Sequence, residues 1–353
     1  MGPELISYHL IASLVTIISG LVLFRAKTRL PSMSVLLMGI ILLFGLALTA
    51  ILFPVDGFAR VQLLAWGFFL YFPICLLLGI CYFWDKNRSL SIGLSVILLV
   101  TVAAAVDSFL IEPRWLKVTE VEINSTKLEE SLTIALLADI QADAPGEYEK
   151  KVLEIVNAQK PDLILLAGDY IQVQNPDEYA RETMVLNQIF REGLITPDLG
   201  VFAVRGNVDW NIWGDIFLDL DVKTFEETET VDLGPVLLTG VGWLDSEDSS
   251  LQIPGGEKYH IVLGHSPNFS LGDIDGDLLL AGHTHGGQIQ LPVIGPLLTL
   301  SSVPRSWASG LTEIEPHKFL LVSNGIGLER GYAPRMRFLC RPEVVILNLN
   351  PHQ

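Results

Sequence analysis

Along the first third of the chain, apolar residues run with hardly a polar break. Residues 5–24, 33–53, 61–83 and 90–111 form four stretches with no charge at their centres; Asp107 lies near the end of the fourth. A helix needs about 20 apolar residues to cross a bilayer, so each stretch predicts a transmembrane helix. A cleaved leader does not fit, because no small-residue cleavage site follows the first stretch and more spans come after it. Beyond "IEPRW" at 111–115 the pattern changes to short runs. "LTIALLAD" (132–139), "PDLILLAGD" (161–169) and "GVFAVRGNVD" (200–209) read as strands. Residues 146–159 and 177–192 read as helices, with Val152, Ile155 and Val156 on one face of the first. Later strands are expected at 235–243, 260–265, 277–285, 319–325 and 343–350. Strand–helix alternation followed by a strand-rich half predicts an α/β domain with sheets covered by helices. The expected division is a four-helix transmembrane region at 1–112 and a second domain at 113–353.

Charge adds a topology. Arg25, Lys27 and Arg29 lie between spans one and two, and Lys86 and Arg88 between spans three and four. The middle loop has only Arg60, offset by Asp56. The positive-inside tendency puts the first and third loops in the cytoplasm. Both termini, and the second domain, are then expected outside the cytoplasm of a bacterial-type cell membrane; Arg114 and Lys117 argue mildly against this. Trp66, Tyr82 and Trp84 read as interfacial anchors. The first 112 residues hold six Lys+Arg and five Asp+Glu, which leaves 17 and 35 for the rest, a net of about −18. A domain this acidic excludes nucleic-acid binding by charge. Cys75, Cys81 and Cys340 form no disulfide framework.

Five apolar runs finish in polar residues next to glycine: Asp139, Asp169, Asn207–Asp209, His265, and the pair His283 and His285. Strand ends of an α/β sheet can converge on one crevice. Aspartates, an asparagine and histidines gathered there make a mixed nitrogen and oxygen site, suited to Mn, Fe or Zn. In an extended segment His283 and His285 would point to one face, and around a turn they can reach two adjacent ions. Arg335 and Arg337, further on, are candidates for substrate phosphate or for surface pairing with carboxylates of the acidic domain.

In order, "ADIQAD", "AGDY", "RGNVD", "LGHSP" and "AGHTHGGQI" resemble the motif series of the calcineurin-like metallophosphoesterases. The resemblance covers roughly residues 130–350. The closing "SNGIGLERGYAPRMRFLCRPEVVILNL" further resembles the membrane-associated branch with YkuE-like domains. The resemblance implies a four-layer α-β-β-α sandwich around two divalent ions. Manganese is the first expectation, with Mg, Fe or Zn as alternatives. It implies that Asp139 and His285 bind the first ion and Asp169 bridges both. Asn207, His265 and His283 would bind the second, and Asp209 would orient its neighbours. Water would attack phosphorus in line, with Asp169, Asn207 and His283 at the reacting centre.

Two positions depart from the family pattern. Gln141 stands where the first motif has His; its amide oxygen can coordinate, but more weakly. Val208 stands where the third motif has a His that assists the leaving group, and general acid catalysis is worth roughly 10²–10⁴-fold. An alkoxide leaving group needs that help and a phosphate does not. The expectation is therefore a membrane-anchored phosphohydrolase acting on a phosphoester or pyrophosphate bond of a lipid-linked substrate. The UDP-2,3-diacylglucosamine pyrophosphohydrolases are similar in lacking this His. The alternative is a weakened domain that binds metal or phospholipid as a scaffold. The expected partners are the bilayer and a phosphorylated substrate.

Overall fold

The computed structural model describes residues 3–26, 32–55 and 57–352. Lys27, Arg29 and Asp56, on which part of the charge topology rests, lie outside the described residues. Contacts divide the chain into two compact units, Met1–Leu110 with Gly331–Pro334, and Ile111–Arg330 with Arg335–Gln353.

The first unit is helical: α1 (Pro3–Ala26), α2 (Ser32–Leu52), α3 (Gly57–Trp66), α4 (Phe72–Phe83) and α5 (Arg88–Val106). A π-turn at Gly67–Tyr71 joins α3 to α4. Asn87 caps α5 by accepting from the Leu90 N–H. Among the described residues, three helical segments are long and apolar enough to cross a membrane: Glu4–Arg25, Gly57–Phe83 and Arg88–Arg114. The second expected span, 33–53, lies in α2, of which Gly39–Leu52 forms a shorter apolar helix. Length and composition thus support three spans, and the expected four-helix count is reduced accordingly. Tyr8, Leu46, Leu63 and Tyr71 are buried together, while Leu10, Leu14, Phe44 and Leu99 are exposed, the pattern of helices packed for an apolar solvent. Tyr82, expected as an interfacial anchor, is buried under Lys86, whose Nζ sits 3.2 Å from its ring centroid.

The second unit carries two six-stranded sheets. The first orders β1 (Lys117–Ser125), β16 (Glu343–Pro351), β2 (Leu132–Leu137), β3 (Leu163–Leu166), β4 (Val201–Val204) and β5 (Lys223–Phe225). β2, β3, β4 and β5 run parallel. The second orders β14 (Gly310–Glu315), β15 (Lys318–Val322), β11 (Leu278–Ala281), β9 (Tyr259–Leu263), β7 (Val236–Gly240) and β6 (Glu229–Asp232). β7, β9, β11 and β15 are parallel, with β6 and β14 antiparallel at the edges.

Strand periodicity builds the core. Successive side chains point to opposite faces. Ile134, Leu136, Leu163 and Leu165 face the second sheet and pack with its Leu238, Ile261, Leu263, Leu278 and Leu280. Ala135, Leu137, Ile164 and Leu166 face away, against Val152 and Val156 of α6 (Glu147–Ala158) and Leu186 and Phe190 of α7 (Pro176–Gly193). Three layers of the expected α-β-β-α sandwich are therefore present. The fourth is not a helical layer among the described residues. The outer face of the second sheet, with Val262, Leu279, Leu320 and Val322, is covered by Ile253, Phe269 and Ile274. These come from the short strands β8 (Gln252–Ile253) and β10 (Asp273–Ile274) and a turn at Pro267–Leu271. "SEDSS", "IPGG" and "GDIDGD" between 246 and 277 supply Gly, Pro, Ser and Asp too often for a long amphipathic helix.

Candidate metal centre

The C-terminal ends of β2, β3 and β4 from one sheet, and of β9 and β11 from the other, bring the candidate residues together. Asp169 Oδ2 lies 3.3 Å from His265 Nε2, and Asp139 Oδ1 lies 3.9 Å from His265 Nδ1. Asn207 Oδ1 lies 3.0 Å from His265 Nε2 and 2.9 Å from His283 Nδ1. The Gln141 amide Nε2 donates to Asp169 Oδ2 at 3.2 Å. Ligand atoms of Asp169, His265 and His283 all lie within 4.8 Å of one another. Asp139, Gln141, Asp169, His265 and His285 are buried, whereas Asn207 is exposed and His283 half-buried. The cluster therefore opens on the Asn207–His283 side.

The backbone at these positions is unusual. Asp139, Gln141, Asp169, His283 and His285 all have φ between 39° and 68°. Non-glycine residues rarely enter this region, and when they do the surrounding structure must hold them there. Hydrogen bonds supply the restraint. Asp139 accepts the His283 N–H through both oxygens, at 2.9 and 3.0 Å. Asp209 accepts the N–H groups of Asp169, Tyr170 and Gly206 at 2.8, 2.8 and 2.9 Å. It thus holds the turn after β3 against the turn after β4. Glycine makes that approach feasible: a Cβ on Gly168 would sit 2.6 Å from the Gly206 nitrogen. Neither Asp139 nor Asp169 caps a helix; α6 starts after Gly146 and α7 after Asn175.

The electrostatics favour a cation. Burial pushes the Asp139 carboxyl up to about 7, Asp169 adds to the rise, and His265 opposes it. Burial also acts on Asp169, but the His265 charge, its hydrogen bond and the Val208 N–H outweigh it and hold this carboxyl below its ordinary range. Burial opposes the charge on His265, yet Asp169 and Asp139 lift it to about 9. Burial lowers His285 strongly, and burial with the charge of His265 lowers His283. Asp209 rises to about 6 through burial and the nearby Asp169. Both ring nitrogens of His285 and the Oε1 of Gln141 are buried without a hydrogen-bond partner. Such orphaned polar atoms are rare in folded proteins. Beside two buried carboxylates, they fit a divalent ion. His265 donates Nδ1–H to the Ala167 carbonyl at 2.7 Å, which turns Nε2 towards Asp169 and is a common way to orient a ligating imidazole.

Several residues were not singled out from sequence. Glu329, buried, lies 3.3 Å from the Gln141 amide nitrogen. Glu247 Oε1 lies 3.8 Å from His283 Nε2. Asp143 pairs with both Arg330 and Arg335, each at 2.7 Å. Arg335 apart, which the sequence had offered, these isolated charged residues carry no spacing signal that would have found them. Arg337, expected near substrate or surface carboxylates, is instead fully buried. Its guanidinium donates to the carbonyls of Asn324, Gly325, Gly327 and Cys340, of which Gly325 also accepts the Glu343 N–H at 3.0 Å.

Part of the chain is similar to known proteins. Residues 132–287 match the family model described as calcineurin-like phosphoesterase. An uncharacterized metallophosphoesterase of Campylobacter jejuni is 28% identical over 309 residues, 81% of this chain and 76% of that protein. The uncharacterized metallophosphoesterase YkuE of Bacillus subtilis is 26% identical over 263 residues, 68% of this chain and 87% of that protein. The phosphodiesterase YaeI of Escherichia coli is 28% identical over 210 residues, 54% of this chain and 71% of that protein. With the ligand-rich strand ends of both sheets inside the matched region, the chain carries a calcineurin-like metallophosphoesterase domain, a metal-dependent phosphoester hydrolase.

Proposed function

We propose that this domain hydrolyses a phosphoester or pyrophosphate bond in a lipid-linked substrate, with two divalent ions held by Asp139, Gln141, Asp169, Asn207, His265, His283 and His285. The observation that carries the reading is the buried donor set with the unpartnered nitrogens of His285 and the unpartnered Oε1 of Gln141. Bound ions supply Lewis-acid charge for phosphoryl oxygens and a nucleophile at neutral pH; Mn²⁺ suits the mixed donors. The chain's contribution is placement. Asp169 touches His265 and Gln141, so it stands between the two halves of the set. Asn207 and His283 line the open side, where a phosphate would arrive.

The leaving group follows from Val208. Its backbone N–H still donates to Asp169 Oδ1 at 2.9 Å, but its side chain can hold no proton. A phosphate leaving group needs none, which supports pyrophosphate cleavage. The neighbouring loop supports a lipid. From Leu278 to Pro304 this acidic domain carries no Asp, Glu, Lys or Arg. The segment includes a hairpin of β12 (Gln290–Leu291) and β13 (Gly295–Pro296) with Val293 and Ile294 exposed at its tip. The Leu300 carbonyl reaches 3.4 Å from His283 Nε2. An uncharged apolar loop beside the open side suits acyl chains. Arg335, exposed, shares Asp143 with Arg330, and two guanidiniums on one carboxylate leave positive charge for a substrate phosphate. The long apolar helices support a membrane location, and with 33–53 as a further span the charge pattern supports a domain outside the cytoplasm.

The test uses the full chain in detergent, loaded with Mn²⁺. A pyrophosphate diester should turn over faster than an alkyl phosphate monoester. Faster monoester cleavage would refute the leaving-group argument. Hydrolysis that survives Asp169→Asn would refute the site.

A further inference from the structure

We infer that Glu329 is a positioning residue for the first metal ion, holding Gln141 so that its amide oxygen does the work of the imidazole that this position lacks. The inference rests on the two-ion reading above. Gln141 is 1% exposed and has two ends. Its Nε2 donates to Glu329 Oε2 at 3.3 Å and to Asp169 Oδ2 at 3.2 Å. Its Oε1 is buried and has no partner. An amide has two N–H groups and one carbonyl oxygen. Two carboxylates on the nitrogen fix which end is the nitrogen, because a flip would set the amide oxygen against both anions. The oxygen is then the end left free for a cation.

Glu329 is itself held. Its Oε1 accepts from Gln172 Nε2 at 2.6 Å, and its backbone N–H donates to Gln288 Oε1 at 2.9 Å. The Gln172 carbonyl oxygen in turn accepts the Arg330 N–H at 2.6 Å. Both Gln172 and Gln288 are therefore committed to Glu329 and its neighbour, and Glu329 Oε2 is directed at Gln141. Metal-ligating imidazoles commonly give their second N–H to a carboxylate, which orients the ring and strengthens the donor atom. Here the same arrangement occurs on an amide: carboxylate, N–H, and carbonyl oxygen in series. Charge on Glu329 draws the amide proton and pushes electron density to Oε1. A carbonyl oxygen reinforced in this way is a hard donor, which favours Mg²⁺ or Mn²⁺ over Zn²⁺ at this position.

The experiment is a Mn²⁺ titration of the full chain in detergent, by calorimetry and by electron paramagnetic resonance. The parent chain should bind two ions and give an exchange-coupled signal. Glu329→Gln should weaken one ion by about 10–100-fold, as loss of an outer partner does elsewhere, and leave a single-ion signal. Gln141→Ala should weaken the same ion, and adding Glu329→Gln to it should cost little more. Glu329→Asp should recover part of the loss. Two ions of unchanged affinity in Glu329→Gln would overturn the inference, and so would an equal loss of both ions or additive effects in the double variant. A parent chain that binds no Mn²⁺ would instead refute the two-ion reading beneath it.

Discussion

Replacing Arg337 by Met should destabilise the domain and loosen its metal. The guanidinium is fully buried and donates to four backbone carbonyls. Three of them belong to the turn at 324–327. That turn is tied to the metal centre: the Ile326 N–H donates to the Ala138 carbonyl at 2.9 Å, and the Gly327 N–H to the Asp139 carbonyl at 2.7 Å. Met fills much of the same volume and donates nothing. Gly325 keeps its bond from the Glu343 N–H, and each of the other three acceptors left unpaired costs about 1–3 kcal/mol. Relief from burying a charge and entry of water offset part of that sum, so a net loss of about 3 kcal/mol is expected. For a domain of this size, 1 kcal/mol moves the melting temperature by roughly 2–4 °C, so the expected drop is roughly 6–12 °C. Thermal unfolding followed by tryptophan fluorescence in chelator measures it. Because the turn supports Asp139, Mn²⁺ affinity should fall as well. A drop of less than about 2 °C with unchanged Mn²⁺ affinity would refute the view that Arg337 holds this turn.

Metal binding should release protons, about two per chain at pH 6 and about one at pH 8, because Asp139 sits at about 7 and His265 at about 9. Calorimetry in buffers of different ionisation enthalpy counts them; a pH-independent count would refute the assignment. In the metal-free chain both groups are raised above their ordinary values of 3.8 and 6.5. Their stabilising contributions are present at low pH and lost as pH climbs through about 7 and about 9, so chelated protein should melt lower at pH 9 than at pH 5. Asp209→Asn turns an acceptor into a donor facing backbone N–H groups and should cost about 2–3 kcal/mol in chemical denaturation; a change within 0.5 kcal/mol would sink its placement as the tie between two turns. Val208→His should raise alkyl monoester turnover by roughly 10²-fold while changing pyrophosphate turnover little; steady-state kinetics with no gain on the monoester would remove the leaving-group account.

Much of the fold was legible because its strands are short, apolar and bounded by glycine. Expected helices at 146–159 and 177–192 match Glu147–Ala158 and Pro176–Gly193. β1 was not foreseen: in "KVTEVEINS" the solvent-facing half of an edge strand alternates with residues only half-buried, so hydropathy stays low. β14 escaped for the same reason. The missing outer helices came from reading a family layout into a segment whose Gly, Pro and Ser content opposes it. The candidate metal donors were legible as polar residues at strand ends. Their left-handed backbone was not, since Asp and His enter that region more often than most residues but still only in a small minority of cases. Glu329 was invisible because its partner, Gln141, is 188 residues away.

The donors come from opposite sheets: Asp139, Asp169 and Asn207 follow strands of one, and His265, His283 and His285 follow strands of the other. An ion bound between them would be a rivet through the seam of the sandwich. Ligand binding at a thousand times its dissociation constant adds about 4 kcal/mol to a fold, and here that increment falls on the joint between the two halves. Scarcity of metal would then do more than silence the enzyme. It would shorten the protein's lifetime, so the amount of domain in the cell would track the ions available to fill it.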